Sequence, residues 1–338
     1  MSERWPVPSP VSASNIRILD FIEYTRVYLA LGLTVWVFAF ALILNVEFGL
    51  GLAVIIFGTS FGIYAMNRRF DIEEDSVNLV SSDRRGANVL FLSGVILLGA
   101  AAGISLLVDP SILLSFVIAL GCFAAYSVPL LPESVSYTRL KEIPFVKNLV
   151  IGTGSAGTLV SALVLFNQLP VSASVLTLFA WAFVCVVLRS IVHDIRDLPG
   201  DTKAGIQTIP VHYGLRTTKF VLHSLNLVAT AIFYGAVVSE VFPLWTAVPG
   251  VVNLIGFLLV DRLSRENASI ISMFAILNHT YLFFLLTIIA WTAPVFTAVY
   301  ILHIESVINA IATGWAAGVC ESLAIATNAT LSIPIIPS

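Results

Sequence analysis

The chain has 338 residues, 58% of them hydrophobic and 11% charged, with a mean hydropathy of +0.96 and a net charge of −3. A soluble domain carries about 25% charged residues, so a soluble fold is excluded, and there is far too much apolar sequence for one signal peptide or single anchor. No basic patch or stripe supports nucleic-acid binding, and Cys122, Cys185 and Cys320 are scattered in apolar segments as packing residues are.

After an N-terminal segment over residues 1–19, apolar runs long enough to cross a bilayer as helices fall at about 24–45, 49–67, 88–107, 111–130, 147–167, 171–193, 217–238, 243–260 and 269–292. A tenth, weaker run at about 295–313 contains His303 and Glu305; it is read as crossing, lying at the interface or re-entering. The tail after Ala316 is small, polar and Pro-containing, with no span signal. The expected fold is all-α: a polytopic membrane protein of nine transmembrane helices, the tenth run left open, around a central cavity. Residues 20–293 form the expected membrane domain, and 294–338 a C-terminal extension.

The charges test this topology. All 17 Lys and Arg fall in the N-terminal segment, in loops after even-numbered spans, or within a turn or two of those positions. The opposite loops carry only Glu47, Asp109 and Glu240. The positive-inside bias then places the N-terminus and the loops after even spans in the cytoplasm.

Two of those loops are acidic. Asn67, Asp71 and Asp75 follow each other at i, i+4 and i+8 behind the second span; Asp194, Asp197 and Asp201 stand at i, i+3 and i+7 behind the sixth. On a helix each set shares one face, and carboxylates beside hydrocarbon read as a functional site. Two facing carboxylate sets repel unless something positive lies between them, and divalent cations holding a diphosphate satisfy both sides. Pro199 and Gly200 mark a turn that would end the sixth helix near Asp197 and bring Asp201 back over the site. Between the motifs, Tyr137 and Lys141 lie one helical turn apart, a phenol and an ammonium suited to a diphosphate oxygen. His193 borders the second motif and His212 lies just beyond it, whereas His223, His279 and His303 are read as hydrogen-bonded packing residues.

With these three elements the chain resembles the UbiA superfamily of intramembrane prenyltransferases. The family's Asn-x-x-x-Asp-x-x-x-Asp is matched by Asn67, Asp71 and Asp75, its Asp-x-x-Asp-x-x-x-Asp by Asp194, Asp197 and Asp201, and its Tyr-x-x-x-Lys by Tyr137 and Lys141. The segment Pro144-Phe-Val-Lys147-Asn148-Leu also resembles family members. The chain departs from the pattern at Arg68, where many members have Asp. It also lacks proline over Asn78–Gly86, and it reads Arg189-Ser-Ile-Val-His193 ahead of the second motif, where many relatives carry Glu.

The resemblance implies transfer of an isoprenyl group from a polyprenyl diphosphate to a lipophilic acceptor. That acceptor is an aromatic quinone precursor, an ether lipid or a carotenoid, and Arg189 suits an acidic one. It implies two Mg²⁺ ions, one on Asp71 and Asp75 and the other on Asp194 with Asp197 or Asp201, with Asn67 orienting an oxygen or a metal-bound water. Lys141, Tyr137, Arg84, Lys203 and Arg68 are the expected diphosphate or acceptor contacts. A terpene cyclase of the same superfamily shares the acidic motifs. A cation transporter is the third class, but it calls for acids deep within broken helices.

Overall fold

The computed structural model describes residues 25–70, 84–128, 139–264 and 267–312. The chain divides into two units, Met1–Thr287 and Ile288–Ser338. The second, which holds the tenth apolar run, is helical as far as Ala312.

In chain order the helices are α1 (Val27–Leu44), α2 (Leu50–Phe70), α3 (Arg84–Val108), α4 (Leu113–Ser127), α5 (Val146–Phe166), α6 (Ala173–Arg196), the short α7 (Leu198–Ala204), α8 (Ile209–Val238), α9 (Val251–Arg262), α10 (Ala268–Ile276) and α11 (Phe283–Ala312). Short 3-10 turns precede α4 and α9, and a π-helical stretch, Leu277–Leu282, joins α10 to α11. Among the described residues there is no strand, and nine helices are long and apolar enough to cross a membrane. They follow the nine expected spans in order, and the protein is an integral, multi-pass membrane protein. Helices of this kind satisfy every backbone group within the segment, without water.

Two boundaries differ from expectation for local reasons. Helix α8 starts at Ile209, ahead of the expected 217, because a helical piece before Gly214 is joined to the span. Gly214 itself adopts φ 76°, ψ 171°, backbone that a side chain would disfavour. After α6, Pro199 and Gly200 do not form the turn: they open α7, where a residue without an N–H costs no helical bond. The sixth helix does end at Asp197, as expected, and the turn comes at Gly205, φ 73°.

Helix α6 is the hub. It buries 67% of its apolar window, against 22% for α3 at the lipid-facing side. Around Trp181 of α6 gather Trp36 (centroids 5.6 Å apart), Phe233 (5.0 Å) and Phe283 (4.7 Å), joining α1, α8 and α11. All four rings are within 1% of full burial. Outward, Leu92, Ile96, Leu107, Val117, Phe220 and Leu258 stay exposed, as lipid contact requires. His279 is buried and bonds the Ala275 carbonyl, in line with a packing role, and His223 sits 3.1 Å from Asp261 while stacking on Phe257.

Helices α2 and α3 meet through small residues, as membrane helices do where backbones approach. A Cβ on Gly94 would lie 2.5 Å from the Ala65 Cβ and 3.2 Å from the Gly62 carbonyl oxygen. Gly94→Val should therefore destabilise by about 1–3 kcal/mol, the usual cost of overpacking. Gly99→Val, where a Cβ meets nothing within 4 Å, is the control. Thermal unfolding in detergent reads the difference, and equal melting temperatures would show that this contact does not hold the pair.

Candidate active site

The site forms where α5 begins and α6 ends. Phe145 takes φ 66°, reversing the chain into α5 and setting Lys147 and Asn148 in its first turn. Both are buried, at 8% and 0% exposure. Asp194, in the last turn of α6, is buried at 1%. The Lys147 ammonium lies 2.8 Å from Asp194 Oδ1 and 3.5 Å from Asp201 Oδ2. The Asn148 amide donates to Asp194 Oδ2 (2.8 Å) and to Ser190 Oγ (2.9 Å). Asn148 Oδ1 is buried with no hydrogen-bond partner among the described residues.

Asp197 caps α6, donating its backbone N–H to the His193 carbonyl, and accepts a fork from Arg196 at 2.8 and 2.9 Å. Its burial would raise the carboxyl pKa, but the adjacent Arg196 guanidinium more than offsets this and holds it below the usual carboxylate range. Asp201 comes back over the site on α7. Burial pushes its carboxyl up to about 7; the Lys147 ammonium opposes the rise, and the neighbouring Asp194 and Asp197 add to it.

Asn67, Asp194, Asp197 and Asp201 line one cavity of about 230 Å³, so α2, α6 and α7 bring them together as the motifs imply. Asn67 Oδ1 accepts from Ser127 Oγ at 3.2 Å. Lys141 does not line the cavity; it is buried with its ammonium 5.5 Å from the ring centre of Tyr126, which does. Arg68 is buried at the end of α2, and Lys203 is exposed on α7. Arg84 opens α3, but its side chain, like Asp71, Asp75 and Tyr137, lies outside the described residues. His193 reaches the cavity wall, where its Nε2 has no partner among the described residues.

The motifs did not reveal Lys147 as the shared cation, nor Arg26, Tyr64 and Tyr126 in the wall. For Lys147 a signal existed: an ammonium one turn inside an apolar span needs a partner. Among the described residues, no three acids, histidines or cysteines lie close enough to hold a metal ion by themselves. Their chemistry is nonetheless uniform, three carboxylates and a buried unsatisfied amide oxygen. Such hard donors suit Mg²⁺, which takes few carboxylates and completes its shell with water and phosphate oxygen.

The fold and the site define a multi-pass helical membrane protein whose carboxylates and a buried ammonium line one cavity. The model of the UbiA prenyltransferase family matches residues 27–279, and the chain belongs to that family. It is 29% identical to the digeranylgeranylglyceryl phosphate synthase of Haloquadratum walsbyi over 199 residues, 57% of this chain and 65% of that one. It is also 29% identical to the synthase of the same name from Methanothrix thermoacetophila over 214 residues, 61% and 72% of the two chains. The chain thus spans about two thirds of the length of these relatives. Among solved structures, a UbiA homologue from Archaeoglobus fulgidus bound to DMAPP and Mg²⁺ superposes with a TM-score of 0.57 at 15% identity, covering 78% of this chain and 99% of that one. A digeranylgeranylglyceryl phosphate synthase structure superposes at 0.56 and 20% identity, covering 81% and 98%. At these identities the likeness is one of fold.

Proposed function

We propose that the protein transfers an isoprenyl group from a polyprenyl diphosphate to a lipophilic acceptor of the glyceryl-phosphate ether-lipid type. The observation that carries this reading is the buried Lys147 ammonium shared by Asp194 and Asp201 at a cavity inside a membrane bundle. The family and the names of its relatives supply the reaction class and acceptor type.

Two Mg²⁺ ions would be held, one by Asp71 and Asp75 and one by Asp194 with Asp197 or Asp201, with Asn67 orienting an oxygen or a metal-bound water. Bound Mg²⁺ would neutralise negative charge growing on the departing diphosphate. The residues around it do the rest. Lys147 sits among the carboxylates as a fixed positive charge for diphosphate oxygens, and Lys141, Tyr137, Arg84, Lys203 and Arg68 are the further contacts proposed for the donor. Tyr64, Phe123 and Tyr126 line the cavity and offer ring faces to the allylic carbon as its bond to oxygen breaks and positive charge develops. The carbon bonds to the acceptor hydroxyl oxygen as its bond to the diphosphate breaks, the diphosphate leaving with the electron pair and the hydroxyl proton passing to a carboxylate of the second motif. Residues 20–293 carry this machinery, and the acidic loops face the cytoplasm.

The test is a product assay on protein purified into lipid, using radiolabelled geranylgeranyl diphosphate, a panel of acceptors, and either Mg²⁺ or EDTA. Label should move to a phosphate-bearing glyceryl ether, cease to move in EDTA and return with added Mg²⁺. Label in a cyclised hydrocarbon without acceptor would replace the transferase with a cyclase. Transfer that ignores EDTA would remove the metal from the scheme.

A further inference from the structure

Arg189 is not used by the acidic site. It stands on α6 five residues before Asp194, about 7.5 Å further along the helix axis. Its side chain lines the same cavity and is only 7% exposed. A guanidinium so placed in a membrane protein is costly unless something compensates it. Its partners are neutral: Nη1 donates to Thr280 Oγ1 at 3.3 Å, and the guanidinium carbon lies 5.5 Å from the ring centre of Trp36. No carboxylate among the described residues pairs with it. Of its five N–H donors, the hydroxyl occupies one.

The seat beneath it is built. Thr280 belongs to the π-helical stretch Leu277–Leu282, the kind of wide turn that recurs at functional sites. The His279 carbonyl in that stretch accepts from Trp36 Nε1, which fixes the indole under the guanidinium. Asn278 anchors the stretch by donating to the Val252 carbonyl at 2.8 Å. On the facing helix, a Cβ on Gly32 would lie 2.8 Å from Thr280 Cγ2, so α1 closes against this turn without slack.

A planar fork with donors to spare, fixed on a cavity wall, matches an oxyanion bidentately. We propose that Arg189 anchors the anionic head group of the acceptor, so that the cavity takes acceptors bearing a phosphate or carboxylate in preference to neutral ones. This rests on the prenyl-transfer reading, and it gives the cavity two separate anion sites. The diphosphate sits at Lys147 and the acidic motifs, and the acceptor head at Arg189, holding the acceptor within reach of the allylic carbon.

The experiment compares wild type, Arg189→Gln and Arg189→Lys on three acceptors: a glyceryl ether phosphate, the same ether without its phosphate, and an aromatic carboxylate. Each is measured with geranylgeranyl diphosphate, alongside melting temperature and donor-free binding of the ether phosphate by titration calorimetry. Wild type should favour an anionic acceptor over the neutral ether by about 100-fold or more, the scale of losing one partner of a buried charged contact. Whether phosphate or carboxylate is used faster identifies the source of the oxyanion. Arg189→Gln should erase that preference through the acceptor KM, with donor KM and melting temperature unchanged, and Arg189→Lys should restore part of it. The proposal is overturned if Arg189→Gln keeps the preference, changes the donor KM, or lowers the melting temperature as a purely structural arginine would. Should wild type transfer to no acceptor yet bind the ether phosphate in an Arg189-dependent way, the prenyl-transfer reading fails and the anchor stands. Binding indifferent to Arg189 defeats the anchor itself.

Discussion

Asp194→Ala is expected to abolish the proposed prenyl transfer, with a loss of about a thousandfold or more, the scale of removing a group that acts directly on transition-state charge. Among the described residues Asp194 is the most buried acid of the site, at 1% exposure: Lys147 holds one oxygen at 2.8 Å and Asn148 the other at 2.8 Å. The same substitution strips Lys147 of its shorter contact and leaves it with Asp201 at 3.5 Å. Breaking a buried pair by removing one partner costs about 3–5 kcal/mol, so Asp194→Asn is the companion variant. It keeps the shape of the side chain and an oxygen for Lys147 while removing the charge. Turnover of label by both variants, beside membrane insertion and melting temperature, separates chemistry from folding. Activity retained in the well-folded Asn variant would end the assignment of Asp194 to the metal and diphosphate site.

Lys147→Met has the second large effect, and it acts in two ways. It leaves Asp194 and Asp201 facing each other across a buried cavity with their shared cation gone, so the ligand-free protein loses stability by about 3–5 kcal/mol. It also removes a fixed positive charge from the proposed diphosphate contacts, which should raise the donor KM by about tenfold to several hundredfold. The two consequences part company under added Mg²⁺. A divalent cation supplies the missing positive charge to the carboxylates, so Mg²⁺ should raise the melting temperature of Lys147→Met more than that of wild type. The donor KM should stay high, because the ammonium itself is absent. A variant as stable as wild type without Mg²⁺, with an unchanged donor KM, would reduce Lys147 to a bystander.

Much of this site is legible in the primary sequence because it is local. Asp194, Asp197 and Asp201 fall within eight residues, and their helical spacing alone puts them near one another; the helix end near Asp197 is legible too, and the structure adds that α7 replaces the expected turn. Asn67 is joined to them in the sequence by the charge topology, which puts both motifs on one membrane face, and by the family motif, and it lines the same cavity. Lys147 was visible as a charge but not as a partner. Its contact with Asp194 bridges two spans, and no periodicity specifies which residue of α5 meets which residue of α6. Arg189 drew attention as a cation near an acceptor, but its neutral surroundings depend on Trp36 and Thr280, from α1 and the π-helical stretch.

Read alone, the sequence marks nine apolar spans, which the helices of the described residues follow in order, and it sets the two acidic motifs behind the second and the sixth. In a solvent that cannot hydrogen-bond the backbone, hydropathy and length leave a helix as the only solution, and helical spacing then places nearby side chains. Only the tertiary structure decided which cation serves which anion. That Lys147 is shared between two carboxylates while Arg189 faces a hydroxyl and an indole depends on how α1, α5, α6 and the stretch before α11 pack. Packing between helices in lipid is fixed by close contacts of small residues and by a few polar pairs, contacts between residues far apart in the chain that no local pattern records.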